Sequence, residues 1–541
     1  MTRRYSISCS NQADHGEECD CAWVSQQMQN VPRALHHVVQ AKYNASGTRN
    51  ARNTFLRMYT QESPAARMKH PQFKWPYLVD HTTNDGEVAQ RKRHIDVDLS
   101  TFMMDIASCA DDEIRNKANT ICTYLLTPNH PKYSDLPYIE PLSLEKRLRR
   151  YLRKAAHQQS EMHALSLGLV HRDGQEYASN MSHDRRRDQL DASKEWAEQT
   201  EVIMPNGQRI ILDDIIVSNK NARFAQIYSW SKGLENYSRS QGHVPLFLTI
   251  TAPPRFHPAP SLGVNSWDGS TPAEAQQWLM TQFARLRARL AKKNITLSGL
   301  RVAEPHQDAC PHGHLLTFVH PKDRAQIEEE IRFTWPTDAA AKIKWLDNQT
   351  SNNGKKASAA SYVMKYVMKT LGNGKDGSEK VDDKQDTWRA SWGVRAIQWI
   401  GLPTKQTWEA LRRLPPERAR DPELSLLRYA AQENNYALFL ELNGGAGIKL
   451  KDRTLRTRIQ PDRKFKIMNF RIRNEIVTIW QRAKAKIERI KNNVELEKVT
   501  VILNYPRKPE NQGQNPNLTL FFRQKIDFIA GGGPPPSLAI G

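Results

Sequence analysis

The stretch from Glu304 to Val319 constrains this chain more than any other, because it holds the densest concentration of metal-capable side chains. His312 and His314 stand two apart and run into Leu315, Leu316, Phe318 and Val319, the pattern of a buried strand. Residues i and i+2 of a strand project to one face, so both imidazoles can reach one ion. His306 lies six residues upstream of His312, just after a second strand-like run from Leu297 to Glu304, with Gln307 to Pro311 as the connection. A hairpin there carries His306 back beside the other two. Three imidazoles with open coordination positions make a catalytic site rather than a closed structural one. Glu304 is the alternative third ligand, and Asp308 is placed to orient a ligand histidine by hydrogen bonding.

The H-x-H pair alone is weak, since a chain with 17 His yields about half of one by chance. A second constellation about fifty residues on gives it weight: Ser361-Tyr362-Val363-Met364-Lys365-Tyr366-Val367-Met368-Lys369. Tyr362 and Tyr366 are four apart and stack on one helical face; Lys365 and Lys369 repeat that spacing on an adjacent face. Ala357, Ala359 and Ala360 favour helix before them, and Gly372 and Gly374 close it. Two core aromatics would be the bland meaning of such a pair.

E-P-H-x-D-x-x-P-H-x-H followed by Y-V-M-K-Y-V-M-K resembles the HUH endonuclease superfamily, and most closely the bacteriophage replication gene A protein family of rolling-circle initiators. The likeness extends to Leu246–His257, to Trp388–Leu414 and to parts of Arg147–Gln189, about residues 140 to 445 in all. It implies an α+β fold: an antiparallel-sheet catalytic core with the metal histidines on a central strand and the tyrosine helix across them. It also implies site- and strand-specific nicking of single-stranded origin DNA. Mg2+ or Mn2+ on His306, His312 and His314 would assist, one of Tyr362 and Tyr366 would form a 5′-phosphotyrosine link, and Lys365 or Lys369 would assist that tyrosine or protonate the leaving 3′ oxygen. The residue between the two histidines is normally bulky and apolar in the family. Here it is Gly313, so a weakened strand is expected.

Charge agrees with a polyanionic partner: Lys plus Arg is 79 against 58 acids, a net charge of +21. No stretch approaches the roughly 20 apolar residues of a membrane span, and the N-terminus lacks an apolar signal core, so a bacterial host cytoplasm is expected. No G-x-x-x-x-G-K-[ST] occurs, so duplex unwinding falls to a host helicase. Six cysteines argue against a disulfide scaffold, and the spacing of Cys9, His15, Cys19 and Cys21 does not match a usual zinc site.

The 541 residues divide by pattern into a mixed, partly helical region 1–139, a basic helical region 140–240, a catalytic region 241–415 and a basic region 416–541 with a flexible tail. In the second, Leu144, Leu148, Leu152 and Ala155 make a helical apolar stripe. Around it Arg147, Arg149, Arg150, Arg153 and Lys154 are candidate phosphate contacts, joined later by Arg395. Val244–Thr251 reads as a strand, Thr271 to about Lys293 as a capped helix, and Arg324 to about Phe333 as another. Trp388, Trp392, Trp399 and Trp408 read as core more than as base-stacking platforms. Ile472, Ile476, Ile479 and Trp480 suggest an amphipathic helix, and both flanking regions are expected to be largely helical. The competing functions are a conjugative relaxase, a non-cleaving origin-binding protein and a metal hydrolase that uses water.

Overall fold

Three apolar-rich runs build the centre of a five-stranded sheet that is buried on both faces. In the computed structural model these are β1 (Val244–Thr251), β2 (Ser298–Pro305) and β3 (Pro311–Val319), with β4 (Ala341–Trp345) and β5 (Ile397–Ile400) at the edges. The order is β4-β1-β3-β2-β5 and all the pairings are antiparallel, so β3 is central. The structure describes residues 21–503 apart from 71, 83–87, 104, 127–140, 205, 347–357, 372–382, 420, 450–451, 454, 461–466, 473–474 and 479–500.

Strand parity divides the sheet into two faces. Leu246, Leu248, Ile250, Leu315 and Val319 pack with the helices α4 (Pro272–Lys292) and α5 (Arg324–Thr334). Phe247, Leu300, Val302, Leu316 and Phe318 pack on the opposite side, under α3 (Leu212–Ser240) and α6 (Ala359–Leu371). α4 starts where its capping box says: Thr271 N donates to Glu274 Oε2 at 2.7 Å and Glu274 N to Thr271 Oγ1 at 3.2 Å.

Ahead of the sheet come α1 (Pro141–Ser166) and α2 (Asn180–Glu198). The α1 stripe is buried as its spacing requires: Leu144, Leu148 and Leu152 are 0% exposed, so cutting any one to Ala should cost about 2–5 kcal/mol. α7 (Asp383–Trp392) packs against α1 and α2. Trp388, Trp392 and Trp408 are buried, and Trp399 packs on Trp230 with ring centroids 5.5 Å apart, so this group serves the core.

Residues 73–82 and 88–97 pair antiparallel among the N-terminal helices. The C-terminal flank corrects an expectation. Residues 455–460, 467–472 and 475–478 form three antiparallel strands in place of an amphipathic helix; Ile472 and Ile476 lie in them, while Ile479 and Trp480 fall outside the described residues. The physical reason is β-branching, since I-M-N-F-R-I and E-I-V-T favour extended backbone over helix. Cys9, His15 and Cys19 also lie outside the described residues, and Cys21 opens the helix Cys21–Met28. Among the described residues, no helix is long and apolar enough to cross a membrane.

Candidate active site

Register decides which groups meet. Glu304 on β2 pairs directly with His312 on β3, and Val302 with His314. Directly opposed residues hold their Cβ atoms about 4.5–5.5 Å apart, so Glu304, His312 and His314 gather on the face that α6 covers. Their candidate ligand atoms all lie within 4.8 Å of one another. Glu304 Oε2 is 3.4 Å from His314 Nε2 and 3.9 Å from His312 Nε2. His306 falls outside this group of three because it begins the loop after Pro305. Its ring still packs on His312, with centroids 4.3 Å apart.

Four polar atoms here are buried without a hydrogen-bond partner: Glu304 Oε1, His306 Nε2, His312 Nδ1 and His314 Nε2. So many orphans in one place are costly unless something else occupies them, and a divalent cation fits a mixed carboxylate and imidazole set. Burial, then the neighbouring imidazoles, holds His312 well below its usual pKa; His306 is pushed down to about 4, first by burial and then by His257. Neutral imidazoles are the form that binds metal.

Thr249 on β1 fixes His314, its Oγ1 lying 3.0 Å from Nδ1, so that Nε2 faces Glu304. Asp308 behaves differently from expectation. Its Oδ2 holds His257 Nδ1 at 2.8 Å and its Oδ1 accepts from Cys310 N at 3.1 Å, so it orients His257 rather than His312 or His314. His257 stands beside His306, ring centroids 5.2 Å apart, and is the member of the cluster that the sequence did not single out. The only signal for it was its place at the end of the β1 motif.

The hairpin loop is clamped from outside. Tyr177 N donates to Gln307 O at 3.0 Å, Gln307 Nε2 to Glu176 Oε1 at 3.0 Å, and Trp388 Nε1 to Ala309 O at 2.8 Å. Ala309 sits at φ +69, a left-handed conformation that an L residue adopts only when its surroundings impose it. The packing contact expected to be lost at Gly313 is supplied by a neighbour. Its missing side chain would meet Ile250 Cγ1 at 3.2 Å, so Ile250 already fills the room that a bulky residue would take.

α6 lays both tyrosines over this face. The Tyr366 ring lies 3.9 Å from the His314 ring, and Phe247 sits between sheet and helix, 4.8 Å from Tyr362 and 5.4 Å from Tyr366. Lys365 Nζ stands 4.1 Å from the Tyr362 ring centre and 4.7 Å from that of Tyr366, while Lys344 Nζ is 4.9 Å from Tyr362. Lys369 is close enough for its charge to bear on His312. The two phenols are held in opposite senses. Burial raises Tyr362, but a hydrogen bond with Tyr366 and the Lys365 and Lys344 ammoniums outweigh it and leave it below its usual pKa. Burial, then the Tyr362 charge, pushes Tyr366 up.

Residues 129–373 match the family model described as Bacteriophage replication gene A protein. This stretch belongs to that family. It contains both ends of the geometry above, the histidine hairpin and the tyrosine helix. The Replication gene A protein of Escherichia phage 186 is 30% identical over 342 residues, which are 58% of this chain and 49% of that one. The Replication protein of Haemophilus phage HP1 is 28% identical over 338 residues, 58% of this chain and 43% of the relative. The Probable replication endonuclease from prophage-like region 1 of Salmonella typhi is 26% identical over 409 residues, 68% and 49% of the two chains. The chain thus spans about half the length of the curated relatives it matches. No solved structure matches it.

Five of the six expected DNA contacts lie on α1, inside the matched stretch, and the sixth lies beyond it. Arg147, Arg150 and Lys154 are exposed on α1, Arg149 is 3.8 Å from Glu145, and Arg153 is bidentate on Asp111 at 3.1 and 2.9 Å. Arg395 is exposed and lies apart from these, near the buried Arg301, whose pKa is lowered to about 10 first by its burial and then by the Arg395 charge.

Proposed function

We propose that this protein is the endonuclease that starts rolling-circle replication of a phage genome, cutting one strand of single-stranded origin DNA and remaining joined to the 5′ end. One observation carries the reading: the Tyr366 ring lies 3.9 Å from His314, on the sheet face where Glu304, His312 and His314 gather. Nicking by a phage replication protein also accords with the relatives' names. Residues 241–415 would be an HUH-type nickase unit, residues 140–240 would grip DNA, and residues 1–139 and 416–541 would flank them.

Glu304, His312 and His314 would hold Mg2+ or Mn2+, with His306 as the further donor. When bound, the ion would polarise a non-bridging oxygen of the scissile phosphate. The chain's own groups do the rest. A phenol with a usual pKa near 10 needs nearby positive charge to ionise at neutral pH, and Lys365 and Lys344 supply it at Tyr362. The phenolate oxygen attacks phosphorus, the bond from phosphorus to O3′ breaks, and O3′ takes a proton from Lys365 or Lys369. The phenol's proton passes to solvent and the lysine that protonated O3′ regains one from solvent, so the step balances overall. The 5′-phosphotyrosine keeps the phosphodiester energy, so the second tyrosine can cut the regenerated origin while the first link is resolved. The free 3′-OH primes synthesis, with a host helicase opening the duplex in the bacterial cytoplasm.

The test is incubation of the full chain with single-stranded origin DNA and Mg2+ or Mn2+, then denaturing electrophoresis. A protein–DNA adduct is expected, reduced in Tyr362→Phe and in Tyr366→Phe and absent in the double variant. Cutting by the double variant that leaves a free 5′-phosphate would make the protein a water-using hydrolase. Binding with no cutting by the wild type would make it an origin binder.

A further inference from the structure

Helices α1, α2 and α7 enclose a cavity of about 290 Å³, and five of its lining side chains are cationic. α1 contributes Arg150, Arg153 and Lys154, and α2 contributes Arg185 and Arg186; among the described residues no acid lines the wall. Two of the three carboxylates nearby pair with lining cations, and the third is held by hydroxyls. Asp111 holds Arg153, Asp386 holds Arg186 and Arg389, and Glu161 accepts from Ser179 and Ser182. Five cations against three carboxylates leave the wall net positive, even with Glu161 and Asp111 close enough to act on Arg185. Arg185 is the informative member, because its Nη1 is buried with no hydrogen-bond partner. A buried guanidinium atom left unpaired is costly, and an anion seated against it removes the cost. His157, on the same wall, is pushed down to about 3 by burial and then by Arg185 and Arg153, so it adds no charge of its own.

The cavity lies one helix away from the cutting centre. α7 presents Thr387 and Ser391 to it, while Trp388 of the same helix donates Nε1 to Ala309 O in the metal hairpin. A helix with its side chains is about 10–12 Å across, the span of about three nucleotides at a rise of ~3.4 Å. We propose that this cavity seats a backbone phosphate of the bound single strand, a second anchoring point that sets which phosphate reaches Tyr362 and Tyr366. The assignment rests on the reading that the chain handles single-stranded DNA, and it adds Arg185 and Arg186 to the DNA contacts.

The experiment measures binding of a short fluorescent oligothymidylate to the full chain carrying Tyr362→Phe and Tyr366→Phe, so that no cutting intervenes, over a range of salt concentrations. Adding Arg185→Gln should weaken binding several-fold and lower the salt slope by about 0.7, the loss of one single-strand phosphate contact, while Arg185→Lys keeps the slope. Unchanged affinity and slope in a folded Arg185→Gln protein overturns the proposal. If that variant fails to fold, Lys154→Gln, exposed at the mouth, takes its place with the same expectation. Inorganic phosphate is the second arm. If it raises the melting temperature of the parent but not of the variant while the DNA slope stays unchanged, the cavity is a free-anion site and the DNA assignment falls. A slope change in a protein whose wild type never forms an adduct would refute the nickase reading and leave this site standing.

Discussion

Thr249 serves His314 as Asp308 serves His257: each fixes Nδ1 and so aims the other nitrogen. Such partners are typically worth 10–100-fold in metal affinity. Thr249→Val keeps the shape and β-branching and removes the oxygen, so a calorimetric titration with Mn2+ should show binding weakened by about that factor with the fold intact. Unchanged affinity would mean that His314 is not a ligand. At this scale the sequence was legible where spacing alone decides the face. His312 and His314 are such a case, and so is the parity that puts Leu316 and Phe318 on the same side. It was less legible where register decides. Glu304 could be read only as the alternative to His306, because nothing in the order of residues says that it pairs opposite His312. His257 lies 51 residues from its partner Asp308, beyond the reach of any local pattern.

The element that matters most is α6, and its anchor is a single buried acid. Glu235 on α3 is 0% exposed and accepts from Ser358 Oγ at 2.5 Å, Ala359 N at 3.1 Å and Ala360 N at 3.4 Å, while Lys232 and Arg239 lie at 3.2 and 2.7 Å. A carboxylate at a helix N-terminus satisfies orphan N–H groups and complements the helix dipole. Burial alone would raise the Glu235 pKa, but the hydrogen bonds from Ser358 and Lys232 and the two cations outweigh it and leave it below the usual 4.5. A depressed carboxylate contributes stability that is present above its unfolded pKa and lost as pH falls through the folded one. Glu235→Gln should therefore lower the melting temperature at neutral pH and reduce adduct formation, and the gap to wild type should close on acidification below about pH 4.5. A gap that is constant with pH would show that the charge is not what holds α6. The helix itself was legible from its i, i+4 tyrosines; the acid that seats it lies 123 residues before Ser358 and was not. Strand β4 was missed for another reason, since A-K-I-K-W is short and half charged, as an edge strand is. β2 carries a second prediction. A Cβ at Gly299 would lie 1.9 Å from Leu316 O, a backbone atom of the neighbouring strand, so Gly299→Ala should cost more than about 4 kcal/mol or prevent folding, read by denaturant melts.

On the scale of the whole molecule, the α+β plan and the central place of the histidine strand were legible because long apolar runs and capping residues specify elements strongly. The C-terminal strands were not, because Ile at helical spacing was weighed above the β-branching of its neighbours. The assembled fold also makes a statement about metal. The hairpin is held by Tyr177, Gln307 and Trp388, and α6 by Glu235, all through protein groups. The cluster is therefore assembled by protein groups alone, unlike a small metal-dependent domain that unfolds when its ion is removed. Chelation should abolish cutting and leave the circular dichroism spectrum unchanged. Adding Mn2+ should stabilise the native state by mass action, about 2.7 kcal/mol at a hundred times its dissociation constant, seen as a rise of a few degrees in melting temperature. His312→Ala with His314→Ala removes two of the three clustered donors, so the rise should vanish while the chain stays folded. A rise that survives the double substitution would place the ion elsewhere, and unfolding by the chelator alone would mean that the ion, and not the clamps, holds the hairpin and helix together.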